Sequence, residues 1–288
     1  THNTINSSKT PLNFPVVGIG ASAGGLDAFK KILSAIPTDS GMAYVIVQHL
    51  SPDHPSSLTE ILSLHSKIPV HEIISDINLL PNHIYIIPEN NLLIAEEGFL
   101  KLKLRTRHES RTNTIDIFFE SLADVHRTFA IGVILSGAGF DGTLGLKKIK
   151  ELGGATIVQD PETAAYKGMP QNAIDTDAAD YILSPEKIPS QLLEIQQSYI
   201  ANYGYTEQEH IPTNDEEILL QIINLIFSRT GNDFRHYKQP TIRRRIARRM
   251  VIAERNTIED YYNFLRNSKD EQDLLFNDFL IHVTYFFR

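Results

Sequence analysis

The sequence contains no cysteine in its 288 residues. This absence excludes a disulfide framework, a thiolate metal site and a cysteine nucleophile, so any covalent chemistry must use an oxygen or nitrogen nucleophile. The chain also lacks an apolar stretch long enough to cross a bilayer, and Thr1 to Lys9 lack the apolar core of a signal peptide. We therefore expect a cytoplasmic protein without direct membrane insertion.

Length and composition indicate a globular protein with room for two domains. Apolar residues make up 42% of the chain and charged residues 22%, which is sufficient for a sizeable core. A length of 288 residues exceeds that of one ordinary domain. Because residue 1 is Thr and not Met, we expect the chain to be part of a longer protein.

Short apolar runs alternate with helical patterns between Phe14 and Leu183, which is typical of a mainly parallel sheet covered by helices. The predicted core strands are Val16 to Gly20, Ala43 to Gln48, Ile84 to Ile87, Ala130 to Ser136 and Ala155 to Gln159. Leu92 to Ala95 and Phe99 to Leu104 flank a turn-like break and predict an antiparallel hairpin. The predicted fold class is α/β, with a doubly wound sheet and an inserted hairpin, followed by a small all-α domain.

The domain boundaries follow from the change of pattern after the last predicted helix of the α/β part, Pro185 to Ile200. We predict a disordered tail at 1–13, the α/β domain at 14–200, a linker at 201–214 and a helical domain at 215–288. The helical patterns of the last part are Asp215 to Arg229, Thr241 to Ala253, Thr257 to Asn267 and Glu271 to Val283. Thr257 with Asp260 predicts a capping box.

The segment Gly20-Ala21-Ser22-Ala23-Gly24 matches a nucleophile elbow, in which a serine lies on a tight turn between a strand and a helix. A serine there faces unpaired amides at the helix N-terminus, which can stabilise the oxyanion of acyl transfer. A five-residue pattern of this kind is often accidental and fits a plain turn as well.

A dinucleotide-binding turn is the competing interpretation of Gly18, Gly20 and Gly24. Such a turn needs an acid at the end of the next strand to bind the ribose hydroxyls. That strand ends in Gln48-His49, and the nearest acid, Asp39, precedes it. We therefore disfavour a nicotinamide oxidoreductase.

His49 and Asp141 follow two other predicted strands, at the same edge of the sheet as Ser22. An imidazole can take the serine proton and return it to the leaving group, and a carboxylate can hold the required tautomer. Taken singly, His49 fits an ordinary loop residue and Asp141 a turn or helix start. Three suitable side chains from three strands favour a serine hydrolase. We predict no metal site, because His49 and His54 lack a further ligand cluster.

Several separated motifs resemble, in order, the protein-glutamate methylesterase domain of bacterial chemotaxis. They are Val17 to Gly25, Val47 to His49, Gly132 to Gly137, Asp141 to Thr143, and Gly168 to Pro170 followed by Ala173-Ile174. The resemblance implies that Ser22 attacks γ-glutamyl methyl esters of a chemoreceptor, with His49 as base and Asp141 orienting it, and that no cofactor takes part. The resemblance also implies deamidation of receptor glutamines as a second activity, which uses the same acyl-enzyme chemistry.

Two positions depart from the pattern of this family. Ala23 stands where Thr is common, and Ala138 where some members have Met. We place the oxyanion donors on the backbone at Ala23, Gly24 and Ala138, because backbone amides survive either replacement.

The second part of the chain contains a basic segment. The arginines concerned are Arg243, Arg244, Arg245, Arg248 and Arg249. Since Ile242, Ile246 and Met250 share a helical spacing that faces a bundle core, we expect the arginines to be largely solvated. Charge alone fits a solvated helix surface, and a nucleic-acid site has no further support.

Phe234 to Lys238, the arginine run and Val283 to Arg288 resemble the N-terminal helical domain of the chemoreceptor glutamate methyltransferase. The resemblance implies that the arginines dock on acidic receptor helices. The family continues into a domain that binds S-adenosylmethionine, so we expect this cofactor only in a longer chain and no methyltransferase activity here.

Two classes of function remain open. One is a methylesterase with an attached receptor-docking domain. The other is a regulatory binding module that keeps the esterase fold without efficient turnover. Methanol release from a methylated receptor peptide separates the two.

Overall fold

The computed structural model describes residues 14–49, 57–105, 113–203, 216–235, 237 and 239–280. Its strands are β1 (Val16–Ala21), β2 (Ala43–Gln48), β3 (Val70–Glu72), β4 (Ile77–Asn78), β5 (Ile84–Ile86), β6 (Asn91–Glu96), β7 (Phe99–Leu104), β8 (Ala130–Ile134), β9 (Ala155–Gln159) and β10 (Tyr181–Leu183). Its α-helices are α1 (Gly25–Ala35), α2 (Leu58–Ser63), α3 (Thr114–His126), α4 (Thr143–Glu151), α5 (Gly168–Asp175), α6 (Ile188–Tyr203), α7 (Glu216–Thr230), α8 (Gln239–Ile252), α9 (Ile258–Asn267) and α10 (Lys269–Leu280).

A seven-stranded sheet lies at the centre of the α/β part, in the order β10-β9-β8-β1-β2-β5-β3. Every pairing in it is parallel. All residues of β1, β8 and β9 are buried, as expected of strands covered on both faces. The predicted α/β fold is confirmed.

Helices cover both faces of this sheet and bury their apolar sides against it. Phe29 and Leu33 of α1 share one core with Leu192 and Ile195 of α6. On the other face, Phe118 and Phe119 of α3 pack with α4 and α5. The strand order changes sides at β1, because β2 lies on one side of it and β8 on the other. Ligand sites of open α/β sheets form at such a point.

The predicted hairpin is present as β6 and β7, which pair antiparallel, and the short strand β4 joins them. The sequence patterns missed β3, β4 and β10, which have only two or three residues each. Strand β8 ends at Ile134, two residues early, because the Ser136 amide donates to the Gln159 side chain instead of to a strand. Helix α6 starts three residues later than predicted.

Helices α7 to α10 surround a separate apolar core that includes Ile222, Ile246, Tyr261 and Leu275. One half of the predicted capping box of α9 is present, since the Thr257 hydroxyl accepts from the Asp260 amide at 3.1 Å, whereas the Asp260 carboxylate lies 3.6 Å from Arg255. The predicted tail at 1–13 and residues 204–215 of the linker region lie outside the described residues. The domain boundaries therefore remain a prediction.

Helix α8 joins the two parts of the chain at the amino-terminal edge of the parallel sheet. The Arg248 guanidinium pairs with Asp180, which directly precedes β10, and donates from Nε to the Gly154 carbonyl at 3.1 Å, directly before β9. Its other nitrogen pairs with Asp278 of α10. Val251 of α8 extends into the core of the α/β part.

The expectation that the arginines are solvated is wrong for Arg245, Arg248 and Arg249, which are 1%, 2% and 5% exposed. Arg245 donates to the Lys150 carbonyl at 3.1 Å, and Arg249 forms two hydrogen bonds with Glu271. These acceptors offset the cost of removing the guanidinium groups from water. No helix in the described ranges is long and apolar enough to span a membrane.

Candidate active site

Three adjacent strands deliver the predicted triad to one edge of the sheet. Ser22 follows β1, His49 follows β2, and Asp141 lies in the loop after β8. The His49 Nδ1 atom is 3.3 Å from the Ser22 hydroxyl, and its Nε2 atom is 2.6 Å from Asp141 Oδ2. The geometry fits the tautomer in which Nε2–H donates to Asp141 and Nδ1 accepts the Ser22 proton.

The turn at Ser22 depends on small residues. Gly24 has a left-handed backbone with φ of 77°, and a Cβ atom there would lie 2.8 Å from the Ser136 hydroxyl. Ser136 binds the turn directly, since its hydroxyl donates to the Ala23 carbonyl at 2.9 Å. A Cβ atom on Gly137 would lie 3.0 Å from the Ser22 Cβ and 2.1 Å from the Met169 sulfur. The Ser22 turn thus packs closely against the segment of Ser136 and Gly137.

Asp141 is 3% exposed and is held by more than the histidine. Its carboxylate accepts from the amides of Ile115 and Asp116, both at 2.9 Å, at the start of α3. The carboxylate therefore binds the positive end of that helix. The hydrogen bonds also fix the carboxylate plane, so that Oδ2 points at His49.

The backbone around Ser22 offers amides for an oxyanion. The Ser22 amide is occupied by the Ser136 carbonyl at 3.0 Å, and the Gly25 amide by the Ser22 carbonyl at 3.2 Å. Within the described part of the chain, the amides of Ala23, Gly24 and Ala138 have no acceptor, and all three residues are exposed. The predicted oxyanion role therefore agrees with the geometry and remains a prediction.

Large apolar side chains are exposed on the segments that carry Asp141 and that bind the Ser22 turn. Phe140, Leu144 and Tyr166 are 62%, 57% and 52% exposed, although residues of this type are usually buried. Tyr166 is fixed beside the turn, because its amide donates to the Ser136 hydroxyl and its carbonyl accepts from Gly137. Sequence patterns gave no sign of this rim, because exposure depends on the loops and not on periodicity.

The sequence did not predict Asp116 and Ser136 as residues of the site. Asp116 is buried at the start of α3, and burial raises its pKa to about 6. A single acidic residue in an apolar segment has no spacing that marks it as part of a site. Ser136 stands inside a segment that the apolar pattern assigned to β8.

The five arginines of α8 do not form an open docking surface. Arg245, Arg248 and Arg249 are buried, so their predicted contact with a receptor is incompatible with this structure. Arg243 pairs with Glu216 at 3.3 Å, and the Arg244 side chain lies against Gly153. Docking through Arg243 and Arg244 remains a prediction. Among the described residues no group of three or more His, Asp or Glu side chains suits a metal, whereas His54 is outside those residues.

Comparison with known proteins agrees with this geometry. Residues 17–192 match the family described as CheB methylesterase, and residues 218–280 match the all-alpha domain of CheR methyltransferases. The catalytic domain of the CheB methylesterase from Thermotoga maritima has a TM-score of 0.58 and 33% identity, and the match covers 63% of this chain and 98% of that one.

Two named relatives extend the comparison. A putative protein-glutamate methylesterase/protein-glutamine glutaminase of Leptospira interrogans is 38% identical over 65% of this chain and 97% of its own length. Protein-glutamate methylesterase/protein-glutamine glutaminase 3 of Pseudomonas aeruginosa is also 38% identical, but only 54% of that protein is covered. By its match over residues 17–192, this chain belongs to the CheB methylesterase family.

Proposed function

We propose that this chain is a serine hydrolase that removes methyl groups from glutamate γ-methyl esters of a chemoreceptor or a related signalling protein. The observation that carries the proposal is the hydrogen-bonded series Ser22–His49–Asp141 beside unoccupied backbone amides. The names of the relatives support the same reaction class. The chemistry requires no cofactor, so activity should survive exhaustive dialysis against a chelator.

In the acylation step the Ser22 oxygen attacks the γ-carbonyl carbon while His49 Nδ1 takes the hydroxyl proton. Negative charge develops on the carbonyl oxygen, where the amides of Ala23, Gly24 and Ala138 can donate to it. The C–O bond to the methoxy group then breaks, and His49 passes its proton to the leaving oxygen, which departs as methanol. Asp141 stabilises the imidazolium that exists between these events.

In the second half of the reaction a water molecule attacks the acyl-enzyme and gives a proton to His49. The bond to Ser22 breaks, the serine oxygen regains that proton, and glutamate is released. An amide enters the same sequence with ammonia as the leaving group, which accounts for deamidation of glutamine side chains. Ester and amide substrates therefore require the same three side chains.

The apolar rim indicates a protein segment as the substrate. Phe140 and Leu144 are exposed beside Asp141 in the chain, Tyr166 is exposed beside the Ser22 turn, and exposed apolar groups of this kind mark surfaces that contact other proteins. An amphipathic helix with an esterified glutamate at the border of its apolar face would place the ester at Ser22 and its apolar residues on the rim. A free amino-acid ester would leave the rim unused.

The helical region is proposed to have no methyltransferase activity of its own. Its described part consists of helices around one apolar core and contains no parallel sheet at whose edge a nucleotide-like cofactor could bind. S-adenosylmethionine should therefore cause no change in the thermal stability of this chain. A dose-dependent rise of the melting temperature would contradict this part of the proposal.

The decisive experiment measures methanol release from the methylated cytoplasmic part of a chemoreceptor. Ser22→Ala should lower kcat at least about a thousandfold, because no other group replaces the nucleophile. Ser34→Ala is the matched control, since Ser34 is an exposed serine on α1 whose hydroxyl donates to the Lys31 carbonyl one turn earlier. Activity in the Ser22 variant equal to that of the Ser34 variant would remove the assigned nucleophile.

The same assay addresses the alternative of a binding module. Well-folded protein that binds the methylated receptor but releases no methanol would favour that alternative. Glutamine deamidation is followed in parallel as ammonia release from the unmethylated receptor. Loss of both products in the Ser22 variant would place the two reactions at one site.

A further inference from the structure

Two helices at the active site cap each other with carboxylates. The Asp141 carboxylate, just before α4, accepts from the amides of Ile115 and Asp116 at the start of α3. The Asp116 carboxylate on α3 accepts in turn from the Gly145 amide at 2.8 Å, at the start of α4. Each carboxylate occupies the positive end of the helix to which it does not belong.

Asp116 is well placed to act on the triad although it does not touch the reacting atoms. It is 5% exposed, and its backbone amide is bound to Asp141 Oδ1 while Asp141 Oδ2 is bound to His49. Its side chain binds the first turn of α4, and the loop leading into that turn holds Asp141. Movement of either helix would therefore displace the Asp141 carboxylate.

We propose that Asp116 is a positioning residue for hydrolysis, which holds Asp141 in place through the reciprocal caps of α3 and α4 and adds a second negative charge behind the His49–Asp141 pair. This inference rests on the proposed function. The role of Asp116 in holding Asp141 next to His49 does not depend on which ester the enzyme hydrolyses.

Charged groups on every element around Asp116 define the electrostatic setting. Asp141 faces it from the loop before α4, Glu120 lies one turn along α3, and both raise the pKa of Asp116 after the larger effect of burial. Arg105, which follows β7, binds the hydroxyl of Thr114 at the start of α3. His49 is reached through Asp141. Above a pH of about 6 the Asp116 carboxylate is mostly ionised and carries its negative charge directly behind Asp141.

Two substitutions separate the positioning effect from the charge effect. Asp116→Asn removes the charge and keeps an acceptor for the Gly145 amide, at the loss of the weaker hydrogen bond from the Gly142 amide, whereas Asp116→Ala removes the charge and both acceptors. Asp124→Asn is the matched control, because Asp124 is a carboxylate on the same helix whose side chain is 62% exposed and pairs with Lys148 at the surface. Activity is measured as methanol release from pH 5 to 9, and stability by thermal unfolding.

The asparagine variant should unfold near the wild-type temperature while its pH profile changes. Loss of the charge disfavours the imidazolium that forms during catalysis, so the acidic limb of kcat/KM should move to lower pH. The plateau should fall about 3- to 10-fold, because the same charge stabilises the imidazolium during catalysis. The alanine variant should lose at least about tenfold more in kcat, since the helix start is released as well.

Outcomes for the inference and for the function are distinguishable. If wild-type enzyme is active and both Asp116 variants keep the profile and kcat of Asp124→Asn, the inference is overturned and the function stands. If wild type releases no methanol, the function fails. The inference is then tested by nuclear magnetic resonance, which follows the titration midpoint of the His49 ring. A midpoint unchanged between wild type and Asp116→Asn overturns the inference there too.

Discussion

Replacement of Arg248 by Met tests whether the two parts of the chain fold as one unit. The guanidinium is 2% exposed and contacts two carboxylates, Asp180 of the α/β part and Asp278 of α10. Removal of one partner from a buried ion pair costs about 3–5 kcal/mol, because the remaining charge is left without compensation. Here two carboxylates lose a partner, although Asp180 keeps Lys150 at 3.6 Å.

The expected loss translates into a large change in melting temperature. At about 2–4 °C per kcal/mol for proteins of 150 to 250 residues, the melting temperature of the variant should be roughly 6–20 °C lower than that of the wild type. Calorimetry should show one unfolding transition for the wild type and two for the variant. The reason is that Arg248 and the α8 side chains beside it connect the two apolar cores. Circular dichroism of urea unfolding gives the free energy independently. The chain has no tryptophan for fluorescence.

Arg229→Met is the matched control for this experiment. Arg229 forms a bidentate pair with Asp273, but the two side chains are 28% and 56% exposed. A surface pair of this kind contributes about 0–1 kcal/mol. If Arg248→Met changes the free energy of unfolding no more than Arg229→Met does, the contacts of Arg248 do not stabilise the interface between the two parts of the chain, and the reasoning is refuted.

Three further predictions concern the triad and acid stability. Asp141→Asn should lower kcat by about 10⁴-fold with the fold retained, as measured by methanol release and circular dichroism, because an amide favours the wrong histidine tautomer. Gly137→Ala should lower kcat at least about tenfold in the same assay, since the added methyl would lie 3.0 Å from the Ser22 Cβ. Burial alone would raise the pKa of Asp180, but Arg248 and Lys150 hold it below 3.8. Its contribution to stability is therefore present above about pH 4 and is lost as pH falls through that lower pKa, and Asp180→Asn should weaken this dependence in acid unfolding.

The sequence predicted the fold where local patterns decide the structure. Strands β1, β2, β8 and β9 are buried on both faces, so their unbroken apolar runs were sufficient to find them. The triad could be inferred for a related reason, because parallel strands deliver the residues that follow them to one edge. Strands β3 and β10 escaped because a three-residue segment has no period of its own.

Other features depend on contacts between residues distant in the chain. Arg248 meets Asp180 across 68 residues, and no spacing within α8 distinguishes a buried arginine from a solvated one. The apolar residues of α8 face the helical core as expected. The opposite side of the helix, which carries the arginines, was therefore predicted to be exposed to solvent. It is covered instead by the α/β part, whose carbonyls at Lys150 and Gly154 serve as acceptors.

The interface between α8 and the α/β part lies too far from the triad for the helical region to contact the active site through it. Gly154 and Asp180 precede β9 and β10, whereas Ser22 and His49 follow β1 and β2, so this interface and the triad lie at opposite edges of a parallel sheet. A strand of five residues separates these edges by about 17 Å. Helix α8 therefore leaves the mouth at Ser22 uncovered. Arg248→Met should accordingly lower stability while kcat of the remaining folded enzyme is unchanged, and an interface that acted on catalysis would lower both together.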